Sequence, residues 1–145
     1  MESFILNKNK SSILFSLEKP DSILYIKTIT LITQEELSNT LSNFVSSIRL
    51  SYELIYTVFN DKESGFIEER KQNSPIIIPV DLVQTQPIFV IEQKIMNEKF
   101  TVGVNPVQHW FTALKLEITN ANSINQQFEL KFDVELLHIK EENVN

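Results

Sequence analysis

The chain contains no cysteine, two glycines, two histidines and a single tryptophan among 145 residues. Without a thiol there is neither a disulfide frame nor a thiolate metal site. Gly65 and Gly103 stand alone, so no glycine-rich phosphate loop or nucleophile elbow can be assembled from them. His109 and His138 are far apart, and neither has a His-x-His or Glu-x-x-His spacing beside it. A metal centre needs at least three converging ligands, so neither a metal nor another cofactor is expected. No apolar run approaches the ~20 residues that span a bilayer. The opening residues Met1 to Lys8 carry no basic leader, so no cleaved signal peptide is expected. Basic residues are scattered, and their tightest group, Glu68-Glu69-Arg70-Lys71, nearly neutralises itself. With a formal net charge of −6, direct binding of nucleic acid is not expected.

What is present is alternation. In residues 127–138, Phe128, Leu130, Phe132, Val134 and Leu136 take one parity, and Glu129, Lys131, Asp133 and Glu135 the other. A period of two places every second side chain on one face of a strand, so this strand has an apolar face and a charged one. Similar runs occur at 11–18, 23–32, 48–58, 88–95 and 112–119. An apolar fraction of 42% and a charged fraction of 22% are those of an ordinary globule. A single domain over residues 1–139 with a polar tail at 140–145 accounts for the length.

The connectors carry turn chemistry. Lys19-Pro20-Asp21-Ser22 is short enough to join its flanking runs as a hairpin, and Met96-Asn97-Glu98-Lys99 leads in the same way into 100–104. Thr33-Gln34-Glu35-Glu36 fits a capping box, with Leu37, Leu41 and Phe44 at helical spacing, so one short helix is expected over 34–43. Residues 60–65 are expected to form a turn or exposed loop, followed by a brief Phe66-Ile67 segment and a charged stretch to Asn73. Pro75-Ile76-Ile77-Ile78-Pro79-Val80 is an edge strand or extended segment, because each proline removes a ladder donor. Residues 120–125 form a loop before the last strand. The expected fold is all-β: an antiparallel two-sheet β-sandwich of about eight strands with one short helix, its apolar parities buried between the sheets.

Few side chains carry a candidate chemistry. Gln108, His109 and Trp110 lie in the densest aromatic spot, Val107-Gln108-His109-Trp110-Phe111. A solvent-facing Trp110 there would suit a glycan, since indole faces stack on apolar surfaces. The plainer expectation is that Trp110 or Phe111 plugs one end of the core. Tyr25, Tyr52 and Tyr56 could line a groove, but Tyr52 and Tyr56 share the core parity, so their hydroxyls need partners at the sandwich margin. Glu129, Asp133 and Glu135 are interleaved with lysine on a solvated face and do not suggest an acid–base pair. Ile55, Phe59 and Ile77 are apolar residues where an outer face should be polar, and mark a candidate interaction surface.

The long strand 48–58, the proline-bearing segment 75–87 and the C-terminal pair 112–119 and 128–138 together resemble a single jelly roll. Small cysteine-free jelly rolls without catalytic residues are similar to virion proteins of bacteriophages and viruses: capsid, vertex, decoration or spike subunits. That resemblance implies a non-enzymatic structural protein, made in the host cytoplasm and located in the virion. Its partners would be copies of itself and other structural proteins of the same assembly. The acidic balance places it at an outer or vertex position rather than against a packaged genome. The alternative is a carbohydrate- or ligand-binding sandwich with its aromatic contact site around Trp110.

Overall fold

The computed structural model describes residues 1–34, 48–60, 66–78, 88–101, 108–124 and 126–142. Its strands in chain order are β1 (Glu2–Asn7), β2 (Ser12–Leu17), β3 (Ile23–Thr33), β4 (Arg49–Asn60), β5 (Phe66–Pro75), β6 (Ile88–Met96), β7 (Phe100–Thr101), β8 (Gln108–His109), β9 (Ala113–Thr119), β10 (Phe128–Leu137) and β11 (Ile139–Glu141). They form two packed antiparallel sheets, one ordered β1-β10-β3-β6 and the other β11-β2-β9-β4-β5, while β7 and β8 make a separate two-stranded ribbon. The chain is a β-sandwich, and no α-helix occurs among the described residues. The helix expected at 34–43 lies outside them apart from Gln34, which is in a bend.

The pairing is nested. Of the eight principal strands the first pairs with the last (β1 with β10), the second with the next to last (β2 with β9), then β3 with β6 and β4 with β5. A long antiparallel ribbon rolled upon itself gives this order, and the sandwich is jelly-roll-like.

Alternation places the core. Leu24, Ile26, Ile29, Leu31, Phe89, Ile95, Leu130, Phe132 and Val134 from one sheet meet Ile13, Phe15, Leu17, Leu50, Leu54, Leu114, Leu116 and Ile118 from the other. Phe4 joins the layers, stacking on Phe132 at 4.8 Å and meeting Phe15 edge-on at 5.4 Å. Each fully buried side chain of this size stabilises the fold by about 1.5–3 kcal/mol in transfer free energy. The inward parity of β3 switches from Leu24 and Ile26 to Ile29 and Leu31 because the register shifts between Ile26 and Thr28. There Lys27 of β3 stands opposite two residues of β6, Ile91 and Glu92, and Glu92 adopts φ 48.

Several expected connections and segments differ. Residues 19–22 do not close a hairpin: β2 and β3 lie in opposite sheets, so the turn is a corner between layers. The same holds at 97–99, since β6 belongs to the four-stranded sheet and β7 pairs only with β8. The charged stretch to Asn73 is strand β5, which pairs with β4 along its length at the sheet edge. The polar tail starts later than expected, because β11 adds to the far edge of the same sheet against β2. Strand β1, which the alternation pattern did not single out, pairs with β10.

Two buried polar residues hold the corners. The Ser22 hydroxyl donates to the Lys19 carbonyl (2.6 Å) and is 3.0 Å from the His138 carbonyl. The Asn97 backbone N–H donates to the Ser22 carbonyl at 2.9 Å. The Asn97 side-chain amide donates to the carbonyls of Lys19 (3.0 Å) and Phe111 (2.8 Å), and its oxygen accepts from the Phe111 N–H at 3.0 Å. Three chain crossings are thereby tied at one end of the sandwich, and no described buried side-chain polar atom lacks a partner. Satisfied in this way, buried amides and hydroxyls do not incur the desolvation penalty of an unmade bond.

Candidate functional site

The aromatic spot expected from the sequence is built at the same end. Phe100 of β7 pairs with His109 of β8, and Thr101 with Gln108. Tyr56, near the middle of β4, faces this ribbon: its ring lies 5.2 Å from Phe100 in an edge-on arrangement and 5.1 Å from His109. Phe100 packs at 4.8 Å on Phe111. The Tyr56 hydroxyl and His109 Nδ1 share a 2.5 Å hydrogen bond. In the tautomer with its proton on Nε2, Nδ1 accepts from that hydroxyl. The partner that a core-parity tyrosine needs at the margin is therefore His109.

Segment 108–112 is held on both sides of Trp110. His109 is bonded to Tyr56, the Phe111 backbone is bracketed by Asn97, and the Thr112 N–H donates to the Ile55 carbonyl at 2.9 Å. His109 and Phe111 are half-buried, while Gln108 and Trp110 face outward, Trp110 at 36% exposure. Phe111 is the aromatic that packs against the core, and Trp110 is presented beside it. A neighbouring cleft of about 410 Å³ includes Tyr52, Lys94, Met96, Lys99 and Phe100 in its walls.

The other candidate residues are dispersed. Ile55 is half-buried on the outer face of the five-stranded sheet, next to Ala113 and Lys71 in register. Phe59 pairs with Ile67 near the end of the same strand. Ile77, 77% exposed, follows β5 in the extended segment, where the neighbouring Ile76 is buried and donates its N–H to the Leu50 carbonyl at 2.9 Å. His138 lies at a left-handed backbone position, φ 56, between β10 and β11. Among the described residues no three His, Cys, Asp or Glu side chains converge as a metal site.

A feature that the sequence reading did not single out is the outer face of the four-stranded sheet. Every exposed large apolar side chain described on a strand belongs to that sheet: Ile5, Ile32, Ile88, Val90, Met96 and Leu137. Four of them sit in two register rows, Ile5–Lys131–Thr30–Ile88 and Leu137–Ile23–Met96, while Ile32 stands opposite Glu129 and Val90 opposite Thr28. Between these rows, Thr28 Oγ1 donates to Asp133 at 2.8 Å, and Lys27 Nζ donates to Glu135 at 2.7 Å. The second contact holds the Glu135 carboxyl below its ordinary range and raises Lys27 above its own, the shared hydrogen bond being the main cause of both. Lys94 and Lys27 lie 5.3 and 5.7 Å from the centroid of the Tyr25 ring. A shallow depression of about 600 Å³ opens here, with Met1, Ile23, Tyr25 and Leu137 among its walls.

Comparison with known protein families and with curated proteins gives no match for this chain.

Proposed function

We propose that the protein is a non-enzymatic structural subunit, a component of a viral or phage particle that associates with copies of itself and with other structural proteins. The observation that carries this reading is the uneven placement of exposed apolar side chains: among the described residues, all of those on strands lie on one sheet face. Exposed apolar side chains gathered on one face, here interleaved with Lys131, Thr30, Asp133 and Thr28, support an interaction surface. The nested strand pairing supports the particle context, since capsid jelly rolls share that architecture, although folds of this kind host other functions as well.

At two of the four sheet edges, docking by a face is favoured over strand addition. The left-handed Glu92 opposite Lys27 breaks the ladder of edge strand β6, and such bulges turn an edge away from further pairing. Edge strand β5 carries Glu68, Glu69, Arg70 and Lys71 in sequence, and charged edges resist addition. Native mass by light scattering across a concentration series tests the reading. A discrete oligomer or concentration-driven growth supports it, and a strict monomer at the highest concentration, alone and with candidate partner subunits, removes it.

A glycan-binding role is favoured by one separate observation: Trp110 projects outward between two neighbours that are each fastened. Such an indole is a rigid stacking platform. Acrylamide should quench Trp110 efficiently, and Trp110→Ala should abolish retention on any glycan that the wild type binds. No binding on a broad glycan array removes this second reading.

A further inference from the structure

Each of the two large sheets has two edges, and among the described residues these are guarded unequally. On β6 the ladder is broken at left-handed Glu92. On β5 the charged residues Glu68 to Lys71 run together, and the strand ends at Pro75. Strand β11 has only three residues, two of them Lys140 and Glu141. Bulges, charges, prolines and brevity are the devices by which natural edges resist further pairing. Strand β1 uses none of them. Its six residues, Glu2-Ser3-Phe4-Ile5-Leu6-Asn7, carry one charge, at the end, with neither proline nor a left-handed backbone. One side of β1 pairs with β10 along its whole length, and no described strand pairs with the other side. Strand β11 of the other layer is joined to β10 by His138 alone. That link reaches about 7 Å, which keeps the start of β11 beside the end of β10 rather than out beyond β1.

The sequence of β1 identifies the occupant, because it matches itself in the antiparallel sense. Directly opposed residues of an antiparallel pair lie on the same face, so a strand pairing with its own copy must centre the two-fold axis on a residue. Centred on Ile5, the strand sets Ile5 against the partner's Ile5 on the outer face. Phe4, half-buried on the core side, then lies opposite the partner's Leu6, and Ser3 opposite the partner's Asn7. Glu2 falls opposite the partner's Lys8, just past the strand. Lys8 donates to the Ile124 carbonyl, and an ammonium has three donors. Moving the centre to Phe4 sets Glu2 against Leu6 and Ser3 against Ile5, and moving it to Leu6 sets Ile5 against Asn7 and Phe4 against Lys8. Only the Ile5 centre matches apolar with apolar, polar with polar and acid with base. We infer that β1 pairs with β1 of a second copy about a two-fold axis through Ile5, joining two four-stranded sheets into one continuous sheet. Main-chain hydrogen bonds supply the contact, as in other strand additions. The inference rests on the self-association reading above and adds an edge contact to it.

The chain has no cysteine, so one introduced thiol reports a single position. In the inferred dimer the two Ile5 Cα atoms are about 4.5–5.5 Å apart, within disulfide reach. The two Ser3 positions are displaced by four residues along the strands, about 14 Å, and lie beyond it. Under a mild oxidant, Ile5→Cys should therefore form a covalent dimer at least about tenfold faster than Ser3→Cys, read on non-reducing gels. Light scattering on the wild type over the same concentrations reports self-association separately. If the wild type associates and Ile5→Cys crosslinks no faster than Ser3→Cys, the edge pairing is wrong and self-association stands. A wild type that stays monomeric throughout removes both. Circular dichroism melts check that each variant is folded. Should Ile5→Cys fail to fold, hydrogen exchange on the wild type decides: β1 amides should exchange more slowly as concentration rises through the dissociation constant. Unchanged exchange at β1 while the native mass rises overturns the edge contact.

Discussion

The two sheets are alike on their inner faces and unlike on their outer ones. Inside, each contributes alternate Leu, Ile and Phe side chains to one core. Outside, the described part of the five-stranded sheet presents half-buried Ser12, Leu14, Ser16, Lys115, Glu117, Ser51, Glu53 and Ile55, with exposed Arg49 and Thr119 at one end. On this face Lys115 and Glu117, two residues apart on β9, form a 3.2 Å ion pair. The four-stranded sheet presents Ile32, Val90, Met96 and Leu137, each roughly half exposed, beside its charges. Packing energy explains why the inner faces resemble one another. It gives no reason for an isoleucine or valine to face water, and so the outer faces are where the two sheets differ in what they can do.

Removing the part that the sheets share has the largest expected effect. Phe132→Ala deletes a fully buried ring stacked on Phe4 and should cost about 3–5 kcal/mol of unfolding free energy, measured by urea denaturation. Next is the corner where the layers cross. Asn97→Ala leaves the Phe111 N–H and carbonyl without that partner and removes one donor to the Lys19 carbonyl, which keeps Ser22; it should cost about 1–3 kcal/mol on the same measurement. A matched pair of surface variants then separates the faces. Leu14→Lys places a lysine opposite Lys115 and should lower stability by about 0.5–1 kcal/mol with no change in native mass. Val90→Lys, at a position 60% exposed, should leave stability within about 0.5 kcal/mol and shift the native mass toward the monomer. The reverse pattern would exchange the roles assigned to the two faces.

The smallest effect is electrostatic and confined to the four-stranded face. Glu135, its pKa lowered by the Lys27 hydrogen bond, contributes stability above its ordinary range that is lost as pH falls through its folded-state value. Lys27, its pKa raised by the same bond, contributes stability below its ordinary range that is lost as pH rises through its folded-state value. The melting temperature of wild type should therefore exceed that of Glu135→Gln slightly between the carboxylate and lysine ranges, with the gap closing at both extremes. The pair is solvent-exposed, which keeps the difference small.

Much of the sandwich was legible because period-two alternation is a local signal. It located β2, β3, β4, β6, β9 and β10 within a few residues. Strand β1 escaped because Ile5 faces outward between Phe4 and Leu6, which blurs the parity. Strand β5 escaped because a charged edge strand looks like a solvated loop until its partner is known. The corners at 19–22 and 97–99 were misjudged for a physical reason: a short polar connector serves a hairpin or a change of layer equally well, and local sequence does not record which. For the aromatic site, composition pointed to Gln108, His109 and Trp110, and the core parity of Tyr56 implied a missing partner. That His109 is this partner depends on residues brought together from distant parts of the chain. The run Ile88-Phe89-Val90-Ile91 did carry a trace of the exposed face, since apolar residues there fill both parities.

The nesting of the strands also sets when the molecule can exist during its own synthesis. Strand β10 lies between β1 and β3, and among the described residues it is the only strand that pairs with β1. Until β10 has left the ribosome, β1 lacks its described ladder partner and the four-stranded sheet lacks an inner strand. Contacts such as Thr28 with Asp133 span most of the chain, which makes folding slow and cooperative. The outer face built on β10 therefore appears only once β10 has been made, so a nascent chain that has not yet reached it does not present this face.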